Sequence, residues 1–304
     1  MKKNTLEYSK IFQNTLDKQI IQESTTGWME ANAGQVKYNG GNEVKIPSIA
    51  MDGLADYDRA GGFVDGAVTM SYQTHTLTQD RGRTFSLDAM DVDETNFIVT
   101  AGNVTGEFQR SHVIPEIDAY RYSKIATLAI DAGQSREVII NKENIVEEIL
   151  ADLTAMEDAI GVKNVVITMS AIHASMLGVA GKDFISKAML AKGALSVEVQ
   201  TFNDNPIVRV PSKLLKTAFE FNDGTTGGQE AGGFKEASTA KNINWLITTK
   251  DAPIAISKTD KVRTFSPDVN QDADAWKIDF RKYHDLWVIE SKLKCIYANI
   301  DATV

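Results

Sequence analysis

Lysine is absent from a long internal stretch of this sequence. No lysine occurs between Ile46 and Ser123, although twenty-three lysines occur elsewhere in the 304 residues. Five of the nine arginines and twelve acidic residues fall inside the same stretch, so it carries most of the net charge of −9. Lysine is the common solubilising cation, whereas the planar guanidinium of arginine forms fixed, often bidentate contacts with carboxylates. We therefore expect this region to contact other protein.

Other scarcities exclude functional classes. The single cysteine, Cys295, excludes an intrachain disulfide. The four histidines stand singly, which gives no support to a zinc site or a histidine-based nucleophile. No apolar run approaches the roughly 20 residues that span a bilayer, so we expect no membrane partner. The acidic balance argues against a protein whose main task is to grip nucleic-acid phosphates.

Two polar segments resemble ligand loops but lack key residues. Asp268–Asp274 carries oxygen ligands at alternate positions, yet Ala273 stands where a calcium loop needs glycine. The glycine-rich stretch Asn222–Gly233 lacks the Gly-Lys-Ser/Thr of a phosphate loop and the GxGxxG of a dinucleotide site. We expect a polar loop or helix cap for the first segment and a mobile surface loop for the second. The sequence therefore predicts no catalytic, cofactor-binding or metal-binding residues.

The lysine-free stretch contains the pattern of a long β-hairpin. Tyr72–Asp80 alternates β-forming and polar residues, and Glu43–Ile49 is a plausible partner strand, with Met51–Gly66 as the tip between them. Arg81-Gly-Arg83 then predicts a turn. A hairpin of this length cannot bury both faces on its own chain and needs a partner surface.

The rest of the chain combines helical and strand patterns. We expect one helix to end near Val113 and a second to begin at Pro115, because proline is tolerated in a first turn but not inside a helix. Asn141 can cap a helix that ends at Gly161. Further predicted elements are a strand at 164–169, a helix at 171–177, strands at 195–200, 207–210, 243–249, 254–257 and 262–265, and a closing hairpin of 275–285 with 286–300.

Several segments of the sequence resemble the major capsid proteins of tailed bacteriophages, which have the Hong Kong 97-like shell fold. They are Asp80-Arg-Gly-Arg-Thr-Phe-Ser-Leu-Asp88, Asp91-Val-Asp-Glu-Thr95, Pro115-Glu-Ile-Asp-Ala-Tyr-Arg121, Thr264-Phe-Ser-Pro267, Asp274-Ala-Trp276 and Arg281-Lys-Tyr-His-Asp-Leu-Trp-Val288. The likeness covers nearly the whole chain in order. It rests on these sequence segments and on the order of the predicted elements, not on a catalytic signature.

The resemblance implies an α+β subunit with five regions. These are an N-terminal arm (1–35), a hairpin region called the E-loop (36–92), a peripheral domain with a spine helix (93–133), an axial α/β domain (134–260) and terminal strands that return to the peripheral domain (261–304). It also implies inter-subunit contacts by charged residues of the lysine-free stretch: Arg59, Arg81, Arg83, Asp88, Asp91, Glu94 and Arg110. The alternative for these residues is that they form intrachain pairs that only orient the hairpin.

The implied partners follow from the same resemblance. The chain would assemble with itself as hexamers and pentamers into an icosahedral shell around double-stranded DNA, without sequence-specific binding. About 92 residues precede the predicted spine helix and the arm and hairpin use them all, which implies a separate scaffolding protein; a portal protein would occupy one vertex. Its location would be the virion, after assembly in the cytoplasm of a bacterial host.

Two other functions stay open from the sequence. An encapsulin-type shell that encloses enzymes shares the fold, and only its cargo would separate it from a phage capsid. An acidic hydrolase that uses a carboxylate pair is a rival from another class, which a monomeric protein with a carboxylate-lined pocket would favour. The resemblance favours a structural protein without enzymatic activity.

Overall fold

The computed structural model describes residues 24–35, 37–38, 43–59, 61–90, 101–161, 164–192 and 195–303. Its α-helices are α1 Ala101–Phe108, α2 Ile114–Asp131, α3 Ile145–Ile160 and α4 Ala171–Ala180. Its strands are β1 Lys37–Tyr38, β2 Glu43–Met51, β3 Val68–Thr76, β4 Gln79–Asp88, β5 Ser135–Val138, β6 Val165–Ser170, β7 Ile185–Lys192, β8 Leu195–Phe202, β9 Asn205–Val210, β10 Phe219–Phe221, β11 Phe234–Glu236, β12 Ile243–Thr249, β13 Pro253–Phe265, β14 Ala275–Val288 and β15 Ile296–Asp301. The predicted α+β class is confirmed.

A mixed seven-stranded sheet, in the order β5-β15-β12-β6-β9-β8-β7, forms the centre of the main core. Every residue of β6 and β12 is buried, so both faces of the sheet are covered at its centre. Helices α2 and α3 pack against β15. Helix α3 presents Ile145, Ile149, Leu153 and Met156 to the core and stops at Gly161, whose φ of +75° suits glycine. The predicted helix that ends at Gly161 is confirmed.

A second, smaller layer has the sheet order β13-β14-β4 and packs against the helical run that begins with α1. That run does not break before Pro115. A π-helical turn, Gln109–Val113, joins α1 to α2, and the Ile114 N–H reaches back to the carbonyl of Gln109. The predicted start of the second helix is confirmed, because α2 begins at Ile114 with Pro115 in its first turn. The predicted break before it was wrong, since the wide π-helical turn joins the two helices and accommodates a proline that cannot donate a backbone N–H.

The predicted turn at Arg81-Gly-Arg83 was also wrong, because these residues lie inside β4 and pair with β14. Gly82 allows β4 to approach β14 closely. A Cβ on Gly82 would stand 2.8 Å from the Phe280 carbonyl oxygen of the neighbouring strand, which is closer than real Cβ atoms come. The predicted strand Tyr72–Asp80 is correspondingly divided at Leu77 and Thr78 into β3 and β4.

The C-terminal part differs from its prediction in two ways. Strand β13 is one strand with a bulge between Ser257 and Thr259, where two strands were expected. The expected terminal hairpin does not form. Strand β14 pairs with β13 and β4, a 3₁₀ turn at Glu290–Cys295 redirects the chain, and β15 enters the large sheet between β12 and β5. Of the predicted strand 286–300, residues 286–288 belong to β14 and only residues from Ile296 onward form a strand of their own.

Candidate subunit interface

The hairpin of β2 and β3 is anchored at its base and uncovered over its outer half. Val44 and Ile46, near the base, are buried in a cluster with Ile254 and Trp287 of β13 and β14. Farther out, large apolar side chains are exposed on both strands and on the tip, residues 52–67: Ile49, Met51, Leu54, Tyr57, Phe63, Val64, Val68, Met70 and Tyr72. Contiguous exposed apolar surface of this kind marks an interaction site.

The hairpin tip is ordered by its own contacts. Asp52 donates its N–H to the Ala67 carbonyl and accepts the Ala67 N–H on its carboxylate at 2.7 Å. Near the apex, Asp58 and Gly62 exchange backbone hydrogen bonds. The rings of Tyr57 and Phe63 lie 4.8 Å apart between these two closures. A loop that is already ordered loses little conformational entropy when it binds a partner.

The root of the hairpin is fixed by a buried carboxylate. Between β3 and β4, Thr78 donates both its N–H and its hydroxyl to Asp285, at 2.9 and 2.8 Å. The second oxygen of Asp285 accepts the hydroxyl of Tyr120 from α2 at 2.6 Å. Burial and the neighbouring Asp285 charge raise the pKa of Tyr120, so its hydroxyl stays a donor. The hairpin therefore leaves the body at a point tied to α2.

The described end of the predicted arm is tied to the same helix. Asp118 accepts hydrogen bonds from the Ser24 hydroxyl, from the N–H and hydroxyl of Thr25, and from the N–H and hydroxyl of Thr26. One turn along α2, the buried Arg121 pairs with Glu30 at 2.6 Å. That cation holds the pKa of Glu30 below its usual value in spite of burial. Residues 1–23 lie outside the described chain.

Arg81 makes its contacts within the chain. Its guanidinium forms an ion pair with Glu116 of α2 and donates to the carbonyls of Asn222 and Gly233, at 3.0 and 3.1 Å. It also lies 5.6 Å from the ring centre of Phe221. For this residue the intrachain alternative describes the observed contacts, and a contact with a neighbouring subunit stays a prediction.

Arg83 inserts into the glycine loop, Asn222–Gly233. It donates to the Glu230 carbonyl at 3.0 Å. A Cβ on Gly224 or Gly232 would lie 3.1 or 3.4 Å from the Arg83 guanidinium, and both glycines have positive φ. A larger residue at either position would strain the backbone and crowd the Arg83 guanidinium. It lies at the surface as expected, but the two arginines tie three of its carbonyls to β4.

The remaining predicted contact residues are dispersed. Arg59 lies exposed on the hairpin tip, and Arg110 pairs with Glu107 across one helical turn at 3.4 Å. Asp88 accepts the N–H of Met90 at the end of β4, while Asp91 and Glu94 lie outside the described residues. Within the described chain, Arg59 and Arg83 form no ion pair with a carboxylate. The inter-subunit role of the whole set remains a prediction.

Between β4, the π-helical turn and the glycine loop lies a cleft of about 390 Å³. One wall is apolar and is formed by Phe85, Phe108, Val113, Ile117 and Phe280. The opposite wall consists of the glycine loop with Arg81 and Arg83. At its floor the buried His284 lies among cations, and burial followed by Arg121, Lys282 and Arg81 lowers its pKa well below the usual value. Sequence reasoning missed this cleft, because its walls come from distant segments.

The carboxylates of the cleft already have partners. Asp80 pairs with Arg281, and that hydrogen bond lowers the pKa of Asp80. Glu116 pairs with Arg81, and Asp223 accepts from Thr225 and Thr226. These contacts do not favour the carboxylate pair of the predicted hydrolase. No three His, Cys, Asp or Glu residues cluster as a metal site in the described ranges.

No described helix has the length and apolar character needed to cross a bilayer. Comparison with known proteins gives no match to a protein-family model and none among curated proteins. Comparison with solved structures, in contrast, gives many matches, and these are dominated by phage capsids.

Three of the matches illustrate the likeness. The capsid protein of cyanophage P-SCSP1u has a TM-score of 0.60 at 11% identity and covers 87% of this chain and 84% of its own. The Mycobacterium phage Che8 structure gives 0.54 at 14%, with 85% and 84% covered. A virus-like particle from Pyrococcus furiosus gives 0.55 at 9%, with 96% and 99% covered. At such low identity these likenesses show the fold alone: the chain has the phage capsid fold, as the sequence resemblance implied.

Proposed function

We propose that this chain is the major capsid protein of a tailed phage, assembling as hexamers and pentamers into an icosahedral shell that encloses double-stranded DNA. The observation that supports this most directly is the hairpin of β2 and β3. On a fold shared with phage capsids, it presents nine large apolar side chains to solvent while its base and root are fixed. A neighbouring subunit is the partner that would cover them.

The mechanism is interface formation, without chemistry. Each hairpin would lie on an adjacent subunit, and a closed shell multiplies such contacts over many copies, so that each can be weak. The net charge of −9 suits a wall that contains DNA without gripping its phosphates. A scaffolding protein, a portal at one vertex, assembly in a bacterial cytoplasm and location in the virion belong to the same proposal.

Negative-stain electron microscopy of the purified full-length chain tests the proposal. We expect closed particles of uniform size, and, when the chain is expressed with its phage, nuclease-resistant double-stranded DNA inside them. A protein that stays monomeric or dimeric under all assembly conditions, including added scaffold, would contradict the proposal.

The encapsulin-type shell is the second candidate. The observation that favours it is the match to the virus-like particle from Pyrococcus furiosus, which extends over 96% of this chain and 99% of that one. The contents of the particles separate the two functions. Packaged protein without nuclease-resistant DNA would favour the encapsulin-type shell, whereas long double-stranded DNA would favour the phage capsid.

A further inference from the structure

We propose that the hairpin tip of one copy of this chain occupies the cleft of a second copy. Tyr57 and Phe63 of the tip would lie against the apolar wall, and a tip carboxylate would bind Arg83. This inference rests on the proposed function, which makes a second copy the partner, and it adds the surface that receives the hairpin.

The tip and the cleft match in apolar character and in size. Phe63 is 88% exposed and its ring lies tilted against that of Tyr57, so the tip presents an aromatic pair. The cleft offers an aromatic wall, in which Phe108 makes edge-to-face contacts with Phe85 and Phe280 at 4.8 and 5.6 Å. Aromatic side chains favour such offset and edge-on neighbours. A volume of about 390 Å³ admits the side chains of one loop but not a folded domain.

The tip and the cleft also match in charge. The tip carries four aspartates and one arginine. Two of these aspartates, Asp56 and Asp65, have no hydrogen bond or ion pair among the described residues. In the cleft the carboxylates of Asp80 and Glu116 are already paired, while the exposed Arg83 donates only to a neutral carbonyl. A carboxylate from outside would complete the hydrogen bonding of Arg83 in the geometry that a guanidinium favours.

The occupant of the cleft is not the tip of the same chain. Leu54 is fully exposed, and Phe63 and Val64 are largely so, which shows that these side chains rest on no other part of the described chain. From the root at Thr78, the nine residues of β3 extend the hairpin by about 30 Å. The tip is thus a projecting element, and a cleft on another copy is a matching site for it.

Disulfide trapping between two populations tests the inference. One population carries Val64→Cys beside Phe63 on the tip, and the other carries an affinity tag and His112→Cys, an exposed position that lines the cleft. The native Cys295 is buried and present in both. After co-assembly and mild oxidation, we expect a mixed dimer on non-reducing electrophoresis. As the matched control, Ile139→Cys replaces His112→Cys, since Ile139 is exposed but does not line the cleft.

A mixed-dimer yield at least fivefold above that control supports the inference. Closed particles with no excess over the control overturn it and leave the proposed function standing, whereas an unsubstituted chain that forms no particles refutes the proposed function itself. If Val64→Cys blocks assembly, Gly53→Cys replaces it, since open space surrounds that position.

Adding Arg83→Ala to the cleft population should lower the yield of mixed dimer severalfold. The control Arg263→Ala, at an exposed position on β13 outside the cleft, should not lower it. An unchanged yield with Arg83→Ala refutes the carboxylate contact.

Discussion

Single buried carboxylates fix the root of the hairpin and the described end of the arm. Asp118 accepts five hydrogen bonds from three consecutive residues. Asp285 accepts two from Thr78 at the root of the hairpin and one from Tyr120. A buried charge is tolerated only when it is hydrogen-bonded in this way. Both carboxylates are tied to α2, so this helix sets the position of the hairpin root and of the described end of the arm.

We expect Asp118→Asn to destabilise the subunit strongly. An amide supplies one acceptor oxygen in place of two and turns an NH₂ group toward donors. Lost charge-assisted hydrogen bonds and unsatisfied buried donors together cost about 2–4 kcal/mol of unfolding free energy. Urea unfolding of the unassembled subunit measures this loss. Asp131→Asn, at the exposed end of the same helix, is the control and should change stability by less than about 0.5 kcal/mol.

The buried His284 predicts loss of stability on acidification. Its pKa in the folded state lies well below the value of about 6.5 that a free histidine has, because of burial and the nearby cations. Below pH 6.5 the unfolded chain therefore binds a proton that the folded chain does not. Folding therefore loses free energy progressively as the pH falls from 6.5 toward the folded pKa.

His284→Phe keeps a ring beside Tyr120 and removes the titrating group. The difference in urea midpoint between pH 7 and pH 5 should therefore shrink in this variant. His75 and His173 also have pKa values lowered by burial, so part of the acid sensitivity should persist. An undiminished difference in His284→Phe would show that this histidine does not carry the effect.

At the scale of elements, the hairpin is anchored to the body only at its base. Met51 pairs with Val68, so the residues between them can be replaced by a two-residue Asn-Gly turn that suits the strand twist. We expect a chain with residues 52–67 replaced in this way to unfold at the same urea concentration as the full-length chain, because among the described residues the tip side chains contact only one another. It should form no closed shells.

The measurements are urea unfolding of the subunit and electron microscopy after assembly. Gly53→Ala is the matched control on the tip, since nothing lies within 4 Å of its added Cβ, and it should assemble normally. Intact particles of normal size from the shortened chain would show that the tip does not hold subunits together.

Local patterns predicted the elements whose cause is local. The helix that ends at Gly161, the predicted helix at 171–177 and the pairing of the hairpin strands all agree with the structure. Asn141 accepts the N–H groups of Glu143 and Asn144 just before α3, close to its predicted capping role.

Local sequence patterns did not predict the features whose structure depends on a segment far away in the chain. Gly82 is a strand residue because the Phe280 carbonyl lies where its Cβ would be, 198 positions away in the chain. Strand β15 pairs with β12 and β5 of the large sheet and not with β14, and both partners lie far from it in the sequence. The cleft combines β4, the helical run and the glycine loop, and no spacing in the sequence indicates that these meet.

For the whole molecule, self-association is the property that the surface supports. The projecting hairpin carries apolar residues and acidic charge, and the lysine-free stretch leaves Arg59 and Arg83 without a carboxylate partner in the described chain. Contacts of this kind are individually weak and depend on salt. A closed assembly repeats them many times, so the particle can be far more stable than any single contact.

We expect the assembled shell to be held without covalent links. An isopeptide bond needs a lysine amine, and no lysine occurs on the hairpin tip; Cys295 is the only thiol and is buried. Mature particles boiled in detergent under reducing conditions should therefore give a single band near 33.4 kDa, because apolar and ionic contacts do not survive that treatment. Lys45, exposed at the base of the hairpin, is the nearest amine that could form such a bond. A ladder of dimers to hexamers, with a linked peptide containing Lys45 in the mass spectrum, would show that the shell is covalently joined, and Lys45→Arg would then abolish the ladder.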